Sequence, residues 1–125
     1  MGMGYSLFPN YRDLFREANA NNSEVIFDVQ YKSPEQGNFA ALYLASYSIG
    51  GWSSIVPMKN LVDDYEMTDG KSISQSPLYN AGSPYNNRDP RLKQTISVPG
   101  ATINGIAGHE GEFGGFMFKK YTEYD

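Results

Sequence analysis

The chain contains no cysteine. That excludes disulfides, thiolate zinc sites and cysteine nucleophiles, and it leaves no cysteine in these residues for a lipid anchor. A single histidine, His109, is present, so neither a two-histidine metal site nor a triad with a spare histidine forms within one copy. No window approaches the roughly 18 apolar residues that span a bilayer. The opening Met1-Gly2-Met3-Gly4-Tyr5 lacks the basic and apolar stretches of a signal peptide. These features suit a cytoplasmic protein or a piece of an exported one. Bases are outnumbered, with ten Lys and Arg against fourteen Asp and Glu. A net charge of −4 disfavours nucleic acid as a partner, since phosphates demand a basic stripe.

What remains is a 125-residue chain that is 40% hydrophobic, with ten Tyr, seven Phe and one Trp. Its length suits one region without an internal boundary across 1–125, and a core that hides roughly two thirds of the unfolded surface. Thirteen Gly and seven Pro among short apolar runs imply abundant loop.

Asn10 is a good helix N-cap, and Tyr11, Leu14, Phe15 and Ala18 fall on one helical stripe. The spacing predicts a helix over about 10–20, ended by Asn19, Asn21 and Asn22. Alternation then predicts a strand over 23–31, with Val25, Phe27, Val29 and Tyr31 on one side. These periods assign Tyr11, Phe15, Phe27 and Tyr31 to the core. From 32 to 57 the pattern dissolves into irregular chain. A short helix is expected over 60–67, capped by Asn60, with Asp63 and Asp64 in its first turn and Gly70 as terminator. Asp89 followed by Pro90 reads as an N-cap and first helical residue. A strand over about 94–98 turns at Pro99-Gly100 into a hairpin within 95–106. The fold class is α+β and loop-rich.

Two blocks carry a family resemblance. Asn60-Leu61-Val62-Asp63-Asp64-Tyr65-Glu66-Met67-Thr68-Asp69-Gly70-Lys71 resembles the "LVDAYEM-DGK" segment of the SusD/RagB family. Pro84-Tyr85-Asn86-Asn87-Arg88-Asp89-Pro90-Arg91-Leu92, continuing to Thr95-Ile96, resembles its "PY-NRDPRL-TI" block. Leu14-Phe15, Ser23 to Phe27 and Phe118-Lys119-Lys120-Tyr121 follow in the family's order. The resemblance implies a fragment of a mostly helical fold, without its lipobox cysteine, repeat helices and carboxy-terminal return. It also implies an outer-membrane, cell-surface lipoprotein that captures glycans with a SusC-like TonB-dependent transporter. The membrane would then be reached only through a lipid anchor outside this chain.

Several constellations remain to be weighed. Asp63, Asp64, Glu66 and Asp69 invite a glycosidase acid/base pair. Adjacent Asp63 and Asp64 diverge by about 100° on a helix, however, so a solvated face is favoured. Arg88 and Arg91 are able to grip an anion, but a structural knot around Asp89 is favoured. His109 with Glu110 and Glu112 reads as a surface loop. Trp52, with Tyr43 or Tyr47 beside it, offers rings on which sugar C–H faces stack; the opposing reading has Trp52 plugging an interface to absent helices. Expected site residues are thus Trp52, Tyr43 and Tyr47 for glycan, with Asn60, Asp64, Asp69, Gly70, Arg88, Asp89, Pro90 and Arg91 as structural motif. No catalytic residue, metal or cofactor is called for. A scaffold that contacts the transporter, with the sugar site elsewhere, is the alternative; a glycoside hydrolase is the remote one.

Overall fold

A computed structural model describes residues 4–32, 34–103, 105 and 115–122. Three short helices, α1 (Ala40–Leu44), α2 (Lys59–Asp64) and α3 (Pro90–Thr95), are joined by 3-10 turns at Asp13–Phe15, Glu17–Asn19 and Tyr47–Ile49. Two strands, β1 (Ile96–Ser97) and β2 (Met117–Phe118), pair antiparallel, Ile96 opposite Phe118 and Ser97 opposite Met117. The α+β, loop-rich class is observed.

Buried apolar residues concentrate after residue 58. Val62, Leu92, Ile96, Val98 and Phe116 form the core cluster, with Tyr65, Tyr85 and Ala101 packed on it. Tyr85 meets Phe116 edge to face, centroids 6.1 Å apart. Met67, Ile103 and Met117 are also fully buried, whereas Ala45 and Pro57 are the buried apolar side chains of the earlier described residues.

The second half is fastened by a buried arginine. Arg88 is 6% exposed, and its guanidinium donates to the carbonyls of Val62, Asp63 (3.3 Å) and Tyr65 (2.7 Å) and, through Nη1, to Pro84 (3.1 Å). These include the carbonyls that the end of α2 leaves without helical partners. Backbone bonds from Thr68 N–H to Asn87 (2.8 Å) and from Asp89 N–H to Glu66 (2.8 Å) flank the same junction. Asp89 then starts α3, its carboxylate accepting from Arg91 N–H at 2.9 Å with Pro90 behind it.

Several expectations fail in the structure. The helix over 10–20 is two 3-10 turns, broken where Arg16 turns extended (ψ 145°). Asn10 does cap it, its Oδ1 accepting from Arg12 and Asp13 N–H. The Asn19 amide, however, donates to Asp13 O at 2.7 Å, occupying a carbonyl that an α-helix assigns to residue 17. The strand over 23–31 does not form: Ser23 and Glu24 lie in a turn, the chain bends at Ile26, and the segment joins no sheet. Ser6 pairs with Ser23 at its start, and beyond that it has no ladder, so Phe27, Val29 and Tyr31 face water while Val25 is half-buried. Phe27 is 87% exposed and Tyr31 54%, which removes both from the core. Tyr11 and Phe15 are half-buried, packed edge to face at 5.2 Å, and the Lys120 ammonium lies 3.2 Å over the Phe15 ring. Burial holds the Lys120 ammonium below its usual pKa, partly offset by Tyr11.

The helix expected over 60–67 runs Lys59–Asp64 because Tyr65 is already extended. Asp63 and Asp64 therefore end it, and Asp63 pairs with Lys59 one turn earlier. Asn60 accepts only from its neighbour Leu61 N–H. Gly70 (φ +75°) closes a separate turn, from Met67 to Lys71, instead of terminating α2. The strand over 94–98 shrinks to β1 because Thr95 belongs to α3. Its partner is β2, not a hairpin neighbour within 95–106, of which residues 104 and 106 lie outside the described residues.

Arg88→Ala should lower the unfolding free energy by about 3 kcal/mol, because it strips a charged donor from several buried carbonyls at once. Arg88→Lys should recover only part of that, since an ammonium lacks the planar fork. Urea midpoints of the three proteins decide it; equal midpoints would show that the knot carries no stability.

Candidate functional site

The aromatic cluster is built by a helix and the irregular segment that closes it. Asn38 Oδ1 accepts from Ala40 N–H at 2.8 Å and so starts α1. Phe39 precedes that helix and Tyr43 lies one turn on, placing both on one side. The chain turns through Tyr47–Ile49, reverses at Gly50 (φ +87°) and runs back along the end of α1. Trp52 N–H donates to Leu42 O at 2.7 Å, Ser53 N–H to Ala45 O at 2.9 Å, and Ser54 N–H to Tyr43 O at 2.9 Å. The returning segment thereby satisfies carbonyls that α1 leaves open. Gly51 makes this approach possible: a Cβ there would lie 2.1 Å from Ala45 O and 2.4 Å from Ala45 C.

That return packs the Trp52 indole against two other rings. Phe39 is nearly parallel to it, centroids 6.4 Å apart at 14°, and Tyr43 stands nearly perpendicular, 5.3 Å away at 81°. Phe39 is 64% exposed, Tyr43 41% and Trp52 44%. Three half-covered or open rings held by a backbone ladder form an amphipathic platform, apolar in its faces and polar at the phenol and indole N–H. Tyr47 opens the 3-10 turn, its N–H donating to Ser53 Oγ at 3.0 Å, and its ring is largely exposed. The structure thus brings Trp52 and Tyr43 together. Phe39 is the member that sequence reasoning missed, and its i, i+4 spacing from Tyr43 was the available signal.

The motif residues lie elsewhere. Asp69 accepts from Ser76 Oγ at 2.8 Å and from Lys71 N–H at 3.2 Å, and so shapes its own loop. Arg91 is clamped to Asp89, its Nε reaching both carboxylate oxygens at 3.0 and 2.9 Å, which leaves little of its fork for an external anion. That contact holds the Asp89 carboxyl below its usual range and raises Arg91. An open groove of about 460 Å³ lies beside this pair, lined by Tyr11, Leu61, Asp64, Tyr65 and Glu66. Asp63 is paired with Lys59 and Asp69 is held in its own loop, so of the four carboxylates only Asp64 and Glu66 line that groove. Among the described residues no three His, Cys, Asp or Glu side chains cluster as metal ligands. His109, Glu110 and Glu112 lie outside the described residues.

The model of the SusD family matches residues 14–124. Two solved structures from Bacteroides fragilis are similar. One is a SusD-like carbohydrate binding protein, with a TM-score of 0.81 and 28% identity over 98% of this chain and 28% of that one. The other is a SusD-like protein, with a TM-score of 0.71 and 26% identity over 98% of this chain and 31% of that one. The chain therefore spans less than a third of the length of either. Nothing among the curated proteins matches it.

Two outcomes check this geometry. Gly51→Ala should break the return segment, costing about 3 kcal/mol of local stability, read as faster amide exchange at Trp52 and Ser53 and red-shifted tryptophan emission. Unchanged exchange would refute the close approach. Separately, Asp89 has its pKa lowered in the folded chain, so its contribution is complete above the unfolded value and is lost as pH falls through the folded one. Asp89→Asn keeps a cap but no charge, and should flatten the loss of urea stability below about pH 4. An identical acid limb in both proteins would contradict it.

Proposed function

The chain belongs to the SusD family, and from that premise we propose that its Phe39–Tyr43–Trp52 platform binds glycan at the cell surface. The observation that carries this reading is the platform itself: three rings exposed to solvent, yet fixed by backbone bonds from 52–54 to α1. Pyranose rings present C–H faces that stack on such surfaces, and fixed rings lose little freedom when they bind. The similar Bacteroides fragilis structure is described as carbohydrate binding, which supports the same class of ligand.

In this reading the protein is a non-catalytic capture component at the outer membrane. It presents nutrient oligosaccharide to a TonB-dependent transporter of the SusC type, and a lipid anchor outside these residues holds it to the membrane. Among the described residues no helix is long and apolar enough to cross a membrane, which is compatible with attachment of that kind.

A second reading, as scaffold or transporter-contact region, is favoured by one observation. Ile26, Phe27 and Val29 are 79%, 87% and 68% exposed along a segment that joins no sheet. Apolar side chains open in a row mark a surface that meets another surface. The two readings use different residues and are separable by mutation.

Trp52 is the chain's single tryptophan, so its emission reports occupancy of the platform without labelling. Across a panel of soluble glycans, a ligand should shift that emission. By calorimetry, Trp52→Ala should weaken the same ligand by about 2 kcal/mol, roughly thirtyfold, while Phe27→Ser leaves affinity intact. If a glycan binds and keeps full affinity after Trp52→Ala, the sugar site is elsewhere and the scaffold reading takes its place.

A further inference from the structure

The platform lies in an uncharged interval. Between Glu35 and Lys59 the sequence holds no Asp, Glu, Lys, Arg or His, and Phe39, Tyr43 and Trp52 all fall inside it. Its flanks are electrically balanced. Lys32 and Glu35, of opposite sign, share the turn that the Lys32–Gln36 bridge closes. Lys59 is paired with Asp63. The polar atoms along the interval are neutral amides and hydroxyls, such as those of Asn38, Ser46, Ser48, Ser53 and Ser54. Among the other cations, Arg16 pairs with Asp13, Arg88 serves carbonyls, Arg91 pairs with Asp89, and Lys120 lies over the rings of Phe15 and Tyr121. The whole chain carries −4.

Resting on the carbohydrate reading above, we propose that this platform selects neutral glycans and rejects those bearing uronate or sulfate. A carboxylate or sulfate brought against exposed rings loses hydration, and only a nearby cation or a set of directed donors makes that loss good. The interval supplies no cation, and the net negative chain repels a polyanion at longer range. Neutral pyranoses ask for none of this. Their C–H faces gain from contact with the rings, and their hydroxyls exchange water for amide and hydroxyl partners. Affinity for them is therefore insensitive to salt, whereas capture of a polyanion would weaken as salt rises.

The test titrates Trp52 emission in the whole chain with neutral glucan, galactan, mannan and xylan oligosaccharides, and with oligogalacturonate and heparin. Each titration is run at about 0.02 and about 0.5 M NaCl, over which the Debye length shrinks about fivefold. At least one neutral glycan should bind with a Kd that moves less than about twofold between the two salts, and the acidic ones should bind at least about tenfold more weakly. An acidic glycan that binds more tightly than every neutral one, and weakens with salt, overturns the selectivity but leaves the carbohydrate reading standing. Silence from all of them overturns both. Ser54 is exposed and adjoins Trp52. Ser54→Lys should add salt-sensitive affinity for oligogalacturonate, and its failure to do so would show that local charge does not set the choice.

Discussion

The Arg88 guanidinium is the contact on which the described core depends. It is buried without a carboxylate partner among its hydrogen bonds, so it is tolerable there only when carbonyls from Val62, Asp63, Tyr65 and Pro84 converge on it. That requirement is collective. The end of α2 and the 84–89 turn must both be in place before the two Nη groups find their acceptors, and once they are, Asp89 sits where α3 must begin. From α3 the chain passes directly into β1, and β2 closes on β1 with Lys119 N–H reaching Thr95 O at 2.9 Å. One side chain thereby ties two stretches more than twenty residues apart into the unit that buries Leu92, Ile96 and Phe116.

The earlier half is organised differently. It contributes almost no buried apolar side chains among the described residues, and its order comes from backbone hydrogen bonds and caps. The α1 return shows how this suffices to hold a surface in place. A ladder from 52–54 onto α1, made possible by a bare Gly51, fixes three rings without hiding them. Rings in a core hold a protein together, whereas rings held rigid at the surface are available to a ligand. Knot and platform are thus separate devices, one stabilising the molecule and the other presenting a surface.

The residues were legible where the physics is local. Asp89-Pro90 was readable as a helix start because a carboxylate cap and a ring-locked φ act within two or three residues. Asn10 was readable as a cap for the same reason. The helix expected over 10–20 was not reliable, because the amide of Asn19 competes for a backbone carbonyl that the apolar stripe says nothing about. The alternation over 23–31 does not make a core strand, because it reports a preference to be half-buried, not the existence of a partner to bury against. In the site, Trp52 and Tyr43 stood out by type and loop context. Phe39 is not legible as their partner, because its helical relation to Tyr43 lies in a stretch without clean periodicity.

The sequence by itself determined the α+β, loop-rich class, the two family blocks and the charge-free interval around Trp52, since each is a property of residue type and order. Only the tertiary structure decided that Arg88 serves carbonyls rather than a carboxylate, that β1 pairs with Met117–Phe118, and that Phe39 completes the aromatic cluster. These depend on segments remote in the chain, or on turns whose closure rests on a missing Cβ. Their energies come from convergence in space, which no short window of sequence contains.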